Sequence, residues 1–185
     1  MNRCIEFASG DYLCIWNVDD LRTPDSIEVM AKALDDNPDI DFVYGNYYIV
    51  PQFGLTQGQY VDETGREDEL TTGMILGPFF MFRKSIIEKT GVFDEQLVSG
   101  ADYDLALRLA FNGKGLHLPI TLGYYLDEGL GASTNPNSKQ PIERTVIEMR
   151  YNIRILEPQL MPHTKEYNIE NIIVDEEKIP VSNLR

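Results

Sequence analysis

Five uncharged residues, Tyr12 to Trp16, follow Ser9-Gly10-Asp11 and run through Asn17-Val18 into two adjacent carboxylates, Asp19 and Asp20. A run this short, bounded in this way, predicts a strand over 11–16 buried on both faces. Open α/β sheets hold their ligands just beyond the carboxyl ends of such strands. Neighbouring carboxylates repel unless a cation or protons relieve them. Hard oxygen ligands suit Mg²⁺ or Mn²⁺, usually shared with substrate phosphates. The competing reading is a turn in which the two aspartates only cap the next segment of chain. On these residues alone the two readings balance.

The bulk numbers narrow the classes. At 185 residues, 43% hydrophobic and 25% charged, the chain has one domain's worth of material and an ordinary globular composition. A net charge of -14 argues against non-specific binding to nucleic acid or an anionic membrane, which needs a basic face. It leaves room for a nucleotide, because a metal can bridge carboxylates and phosphates. Cys4 and Cys14 make no disulfide framework or zinc pattern, and Cys14 is expected as a buried thiol in the strand. No stretch is apolar enough to span a membrane and no secretory signal is visible, so a cytoplasmic protein is expected, free or peripheral to a membrane.

Along the chain, residues 2–8 read as the tail of a helix. Thr23-Pro24 opens a second helix with Ile27, Met30, Ala31 and Leu34 on one face, ended by Asp35-Asp36-Asn37-Pro38. Ile40 to Val50 is a strand. Residues 51–72 form a long polar excursion. Met74 to Phe82 is a strand broken by Gly77-Pro78, where proline suggests an edge or a bulge. Arg83 to Thr90 is a short helix closed by Gly91. A largely buried helix runs from Asp102 to Asn112, with Tyr103, Leu105, Leu107, Leu109 and Phe111 around it. Leu116 to Leu126 is a strand, Gly129 to Ser138 a small-residue loop, and Pro141 to Leu156 an amphipathic helix. We divide the chain into a main portion, 1–160, and an acidic C-terminal tail, 161–185.

Asp102 and Asp104 form a second acidic cluster at a helix start, where carboxylates ordinarily cap N–H groups and oppose the dipole. Their functional reading is a general base. The glycines after Glu128 either cradle phosphates or simply connect. His117 reads as structural and His163 as solvated.

In this order these clusters resemble the family 2 glycosyltransferases of the GT-A fold. Asn2 to Asp20 is similar to the family's Ala-x-Gly-Asp/Glu-Tyr, apolar strand and metal-binding Asp-x-Asp-Asp. Gly77 to Arg83 resembles the strand ending in an Arg. Gly91-Val92-Phe93-Asp94-Glu95, with Asp102-Tyr103-Asp104-Leu105 and Arg108-Leu109, resembles the Gly-x-Phe-Asp-Glu element and the helix of the catalytic base. Tyr124-Tyr125 and the next loop resemble the segment that closes over the nucleotide diphosphate.

The resemblance implies an α/β fold, a partial GT-A mixed sheet flanked by helices and lacking the usual N-terminal nucleotide-binding segment. It implies an inverting, metal-dependent transfer from a nucleotide-sugar donor to a glycan, lipid-linked or protein acceptor. It implies Asp102 as base, Asp19 and Glu128 as ligands of Mn²⁺ or Mg²⁺, and Asp20, Asp104, Arg83 and Tyr125 as substrate contacts. Three departures stand out: Asn17 replaces the leading Asp, Leu126 and Glu128 replace an Arg and a His, and the family's first βα units have no counterpart. The strand at 12–16 is then short of a neighbour, which predicts self-association or a partner chain at that edge. Two alternatives stay open: a non-catalytic binding or assembly module, and an unrelated Mg²⁺-dependent hydrolase or phosphatase.

Overall fold

Phe42–Val50 is almost wholly aromatic or β-branched, and it forms the central strand of the sheet. A computed structural model describes residues 1–64, 74, 76–129, 131, 138–151, 171–174 and 177–180. The elements are α1 (Asn2–Phe7), β1 (Tyr12–Cys14), β2 (Leu21–Arg22), α2 (Ser26–Asp36), β3 (Phe42–Val50), β4 (Gln59–Val61), β5 (Phe80–Arg83), α3 (Ile87–Thr90), α4 (Ala101–Asn112), β6 (Gly115–Leu126), α5 (Gln140–Arg150), β7 (Asn171–Val174) and β8 (Glu177–Pro180). The six-stranded sheet has the order β1-β5-β3-β6-β2, with β4 paired to β3 beside the path. Only β3 and β6 pair in parallel; the other pairs of this sheet are antiparallel. This is a mixed α/β sheet, as expected.

The chain divides into two compact units, Met1–Val92 with Leu105–Glu128, and Phe93–Asp104 with Gly129–Arg185. In the first, Met30 and Leu34 of α2 lie against Val43, Phe79, Met81 and Leu122 of the sheet. These two α2 residues are one helical turn apart, so both face the same way. The second unit contains α5 and the β7–β8 hairpin. That hairpin falls within the span read as an acidic tail.

Several expectations change. The strand expected over 11–16 is only three residues long, half-buried, and paired to β5 alone. It is an edge strand of the described sheet, because no strand among the described residues lies on its other side. The chain leaves the sheet after Cys14, and Trp16 is 57% exposed. Cys14 is half-buried and free. Helix α2 starts at Ser26 because Thr23 still belongs to the sheet: its N–H bonds to the Leu122 carbonyl at 3.0 Å. Strand β5 starts only at Phe80 and lies inside the sheet, so Pro78 marks its entry and not an edge. Gly77 turns with φ +60°, and a Cβ there would come within 2.6 Å of the Tyr47 ring. Phe111 is exposed, so α4 is buried on fewer sides than its sequence suggests. The 51–72 excursion contains β4. The expected 129–138 loop, the end of the 141–156 helix and His163 lie largely or wholly outside the described residues.

Arg83, expected as a substrate contact, is bonded to backbone carbonyls within the protein. Its Nη2 donates to the Leu34 carbonyl at 2.6 Å and the Asn37 carbonyl at 3.3 Å, and its Nε donates to the Ile40 carbonyl at 2.8 Å. These carbonyls lie at and just beyond the end of α2, where a helix leaves acceptors unpaired and favours a cation. The guanidinium also sits 5.4 Å from the Tyr12 ring. Arg83 therefore ties the end of α2 to β5 and β1. Arg83→Ala is expected to cost about 2–3 kcal/mol, from charge-assisted bonds lost and carbonyls left bare. Urea unfolding reads this; an unchanged midpoint would show that Arg83 is not a structural tie.

Candidate active site

Strands β1, β3 and β6 run the same way, and β2 returns antiparallel to β6 with Leu21 opposite Tyr124. Residues 15–20 therefore cross from one edge of the sheet to the other at the carboxyl ends of β3 and β6. Four interactions hold this crossing. Asn17 Nδ2 donates to Asp20 Oδ2 at 2.9 Å, and the Leu126 N–H at the end of β6 donates to Asp20 Oδ1 at 3.2 Å. Trp16 Nε1 donates to the Asp20 carbonyl at 3.2 Å. Arg22 Nη2 donates to the Ile15 carbonyl at 2.7 Å. The Arg22 guanidinium lies 5.4 Å from the Trp16 ring and 5.2 Å from the Phe79 ring.

The two aspartates are thus separated in role. Asp20 is 3% exposed. Burial raises its carboxyl above the ordinary range, the bonds from Asn17 and Leu126 pull it back, and the charge of Asp19 raises it further. Asp19 is exposed, as are Asn17 and Val18. Glu128, expected as a second metal ligand, is exposed just past β6. No group of three His, Cys, Asp or Glu poised around a metal exists among the described residues. Tyr125 lies partly buried against the core cluster. The tyrosine on the opposite face of β6 is Tyr124, so it and not Tyr125 shares the face of Leu126.

The second unit holds Asp102, half-buried in the first turn of α4. Burial lifts its carboxyl above the ordinary range, N–H bonds at Tyr103 and at Asp102 itself lower it, and the charge of Glu143 raises it. Glu143 of α5 is fully buried and accepts three backbone N–H bonds, from Val98 at 2.9 Å, Ser99 at 2.7 Å and Gly100 at 2.6 Å. It fixes the turn that enters α4 and so positions Asp102.

Asp104, expected as a substrate contact, is fully buried. Its Oδ1 accepts from Arg150 Nη1 at 2.7 Å and from the Tyr151 hydroxyl at 2.8 Å. Arg150 Nη2 reaches Asp94 Oδ2 at 2.6 Å. Burial would raise the Asp94 carboxyl, but the Gln96 N–H and Arg150 outweigh it and hold it below the ordinary range. Arg22, Glu143 and Arg150 were not found from the sequence. The available signal was that buried carboxylates and backbone turns need partners. His117, read as structural, has its Nε2 2.7 Å from Asn46 Oδ1.

Residues 1–91 match the family model described as Glycosyl transferase family 2. Chondroitin synthase of Pasteurella multocida is 31% identical over 118 residues, covering 63% of this chain and 12% of that protein. An uncharacterized glycosyltransferase of Methanocaldococcus jannaschii is 26% identical over 116 residues, covering 60% of this chain and 40% of that one. The structure of S. aureus TarS 1-349 superposes with a TM-score of 0.55 at 15% identity, covering 91% of this chain and 48% of that chain. The chain thus spans less than half the length of these relatives. The fold is that of the GT-A glycosyltransferases. Over residues 1–91 the chain is similar to glycosyl transferase family 2.

The Arg150 brace makes two predictions. Arg150→Met removes the guanidinium that Asp94 and Asp104 share and is expected to cost about 3–5 kcal/mol in urea unfolding. Because the folded Asp94 is held below its ordinary value, its contribution is present above the unfolded pKa and is lost as pH falls through the folded one. Asp94→Asn should therefore flatten the acid limb of a stability-against-pH curve; an unaltered limb would remove Asp94 from the linkage.

Proposed function

We propose that this chain carries the metal and acceptor chemistry of an inverting glycosyltransferase using a nucleotide-activated sugar. One observation supports this most: in the segment similar to family 2, Asp19 stands exposed at the carboxyl ends of the sheet while Asp20 anchors it from beneath. Mg²⁺ or Mn²⁺ is commonly held by one or two carboxylates with substrate phosphates completing the shell. A single exposed carboxylate fits that division, whereas an all-protein cage would not. Asp19 would hold the cation, which when bound neutralises charge on the leaving diphosphate.

Asp102 supplies the base. The acceptor oxygen bonds to the anomeric carbon as the carbon–oxygen bond to the diphosphate breaks, with that electron pair leaving on the diphosphate. The acceptor proton passes to the Asp102 carboxylate, and the anomeric configuration inverts. A carboxyl lifted by burial is a stronger base than an ordinary one. Glu143 holds the backbone from which Asp102 projects.

A binding-only reading has one observation in its favour. Both Asp20 oxygens are engaged inside the protein, and Asn17, where the family has its leading Asp, is used to bond Asp20. Donor binding without transfer is the outcome that would select it.

Asp102→Asn is expected to lower transfer about 10²–10⁴-fold while leaving donor affinity unchanged. The base works only when ionised, so kcat/KM should climb with pH through a value above the ordinary aspartate, about 3.9. Full turnover by Asp102→Asn would discard the assignment.

A further inference from the structure

Three tyrosines stand in one row across the sheet. Tyr48 of β3 lies opposite Tyr60 of β4 on one side and opposite Tyr124 of β6 on the other. Directly paired residues share a face, so all three project the same way. The ring centroids are 5.1 Å apart for Tyr48 and Tyr60, and 6.0 Å apart for Tyr48 and Tyr124. Tyr60 is 46% exposed, and Tyr48 and Tyr124 are half-buried. Asn46 Nδ2 donates to the Tyr60 hydroxyl at 2.8 Å and orients that ring.

The row starts at the acidic corner. Tyr124 pairs with Leu21, the residue after Asp20. Two residues further along β6, about 7 Å by strand rise, Leu126 gives its N–H to Asp20. Arg22 of β2, opposite Gly123, lies on the other face of the sheet from Tyr124. No Lys or Arg occurs in β3, β4 or β6. Exposed carboxylates lie near its two ends, Asp62 beside β4 and Asp19 beside β2. An anionic ring would be repelled by Asp62, and by Asp19 when no cation is bound there, and a neutral one would not.

We infer that Tyr60, Tyr48 and Tyr124 form a stacking platform for the neutral pyranose rings of a saccharide acceptor, leading to the acidic corner. Pyranoses present flat C–H faces with hydroxyls at the rim. Tyrosines present apolar ring faces with a hydroxyl at the edge, so each part meets its match. This rests on the transfer reading above and narrows its acceptor to an uncharged glycan.

The test uses the full chain and ligand-observed NMR. The probes are four neutral tetrasaccharides (chitotetraose, cellotetraose, maltotetraose and mannotetraose), an anionic tetragalacturonate and uridine. At least one neutral tetrasaccharide should bind, and the anionic one should not. Tyr48→Ala and Tyr60→Ala should each weaken binding tenfold or more, while Tyr48→Phe, which keeps the ring, stays within threefold. Failure of all four neutral probes overturns the platform. So does unchanged affinity in both alanine variants, or displacement of the saccharide by uridine. UDP with Mn²⁺ is titrated into the same samples. Saccharide binding without UDP binding would sink the transfer reading and keep the platform; UDP binding without saccharide binding would do the reverse.

Discussion

One buried carboxyl group joins two parts of the chain more than a hundred residues apart. Asp20 takes the Leu126 N–H at the end of β6 and the Asn17 amide of its own turn. The chain must travel from β1 at one edge of the sheet to β2 at the other, and nothing in strand pairing holds the residues between. The Asp20 bonds, with Arg22 held between Trp16 and Phe79, hold them at the carboxyl ends of β3 and β6. Because Asp20 is bound inward, Asp19 next to it turns outward.

The same division recurs in the second unit. Asp104 and Asp94 are tied by Arg150, and Asp102 remains half-buried in the first turn of α4. Glu143 is a buried carboxylate that accepts three backbone N–H bonds. Each acidic motif thus combines a carboxylate buried and bonded within the fold with one that is more exposed. A buried charge without its partner is strongly destabilising, so these partners are as necessary as the motif residues themselves.

Local pattern located much of this. The spacing of Met30 and Leu34 gave α2, the β-branched and aromatic run gave β3, and Gly91 closed α3, where its φ is +71°. The same local view misplaced the start of α2, because Thr23 bonds to a carbonyl on β6 that only the fold brings near. It also made Tyr12–Trp16 a fully buried strand. Its edge position depends on pairing with β5, some seventy residues away, and on nothing in the run itself. Among candidate site residues, the sequence marked the Asp19–Asp20 pair and Asp102 but not which member of each cluster faces inward. Arg83 and Asp104 looked functional because charged residues inside apolar segments stand out equally when they serve the fold. Glu143 and Arg150 went unnoticed because their partners lie over forty residues away.

The central claim is that Asp19 and Asp20 differ in kind, the first available to a metal and a diphosphate, the second a structural anchor. Calorimetric titration of the full chain with UDP and other nucleoside diphosphates, with and without Mn²⁺, tests it directly when paired with thermal melting of Asp19→Ala and Asp20→Ala. The account predicts metal-dependent binding by the parent chain, its loss in Asp19→Ala at unchanged melting temperature, and a lowered melting temperature in Asp20→Ala. Equal metal-dependent binding by Asp19→Ala and the parent chain would contradict it.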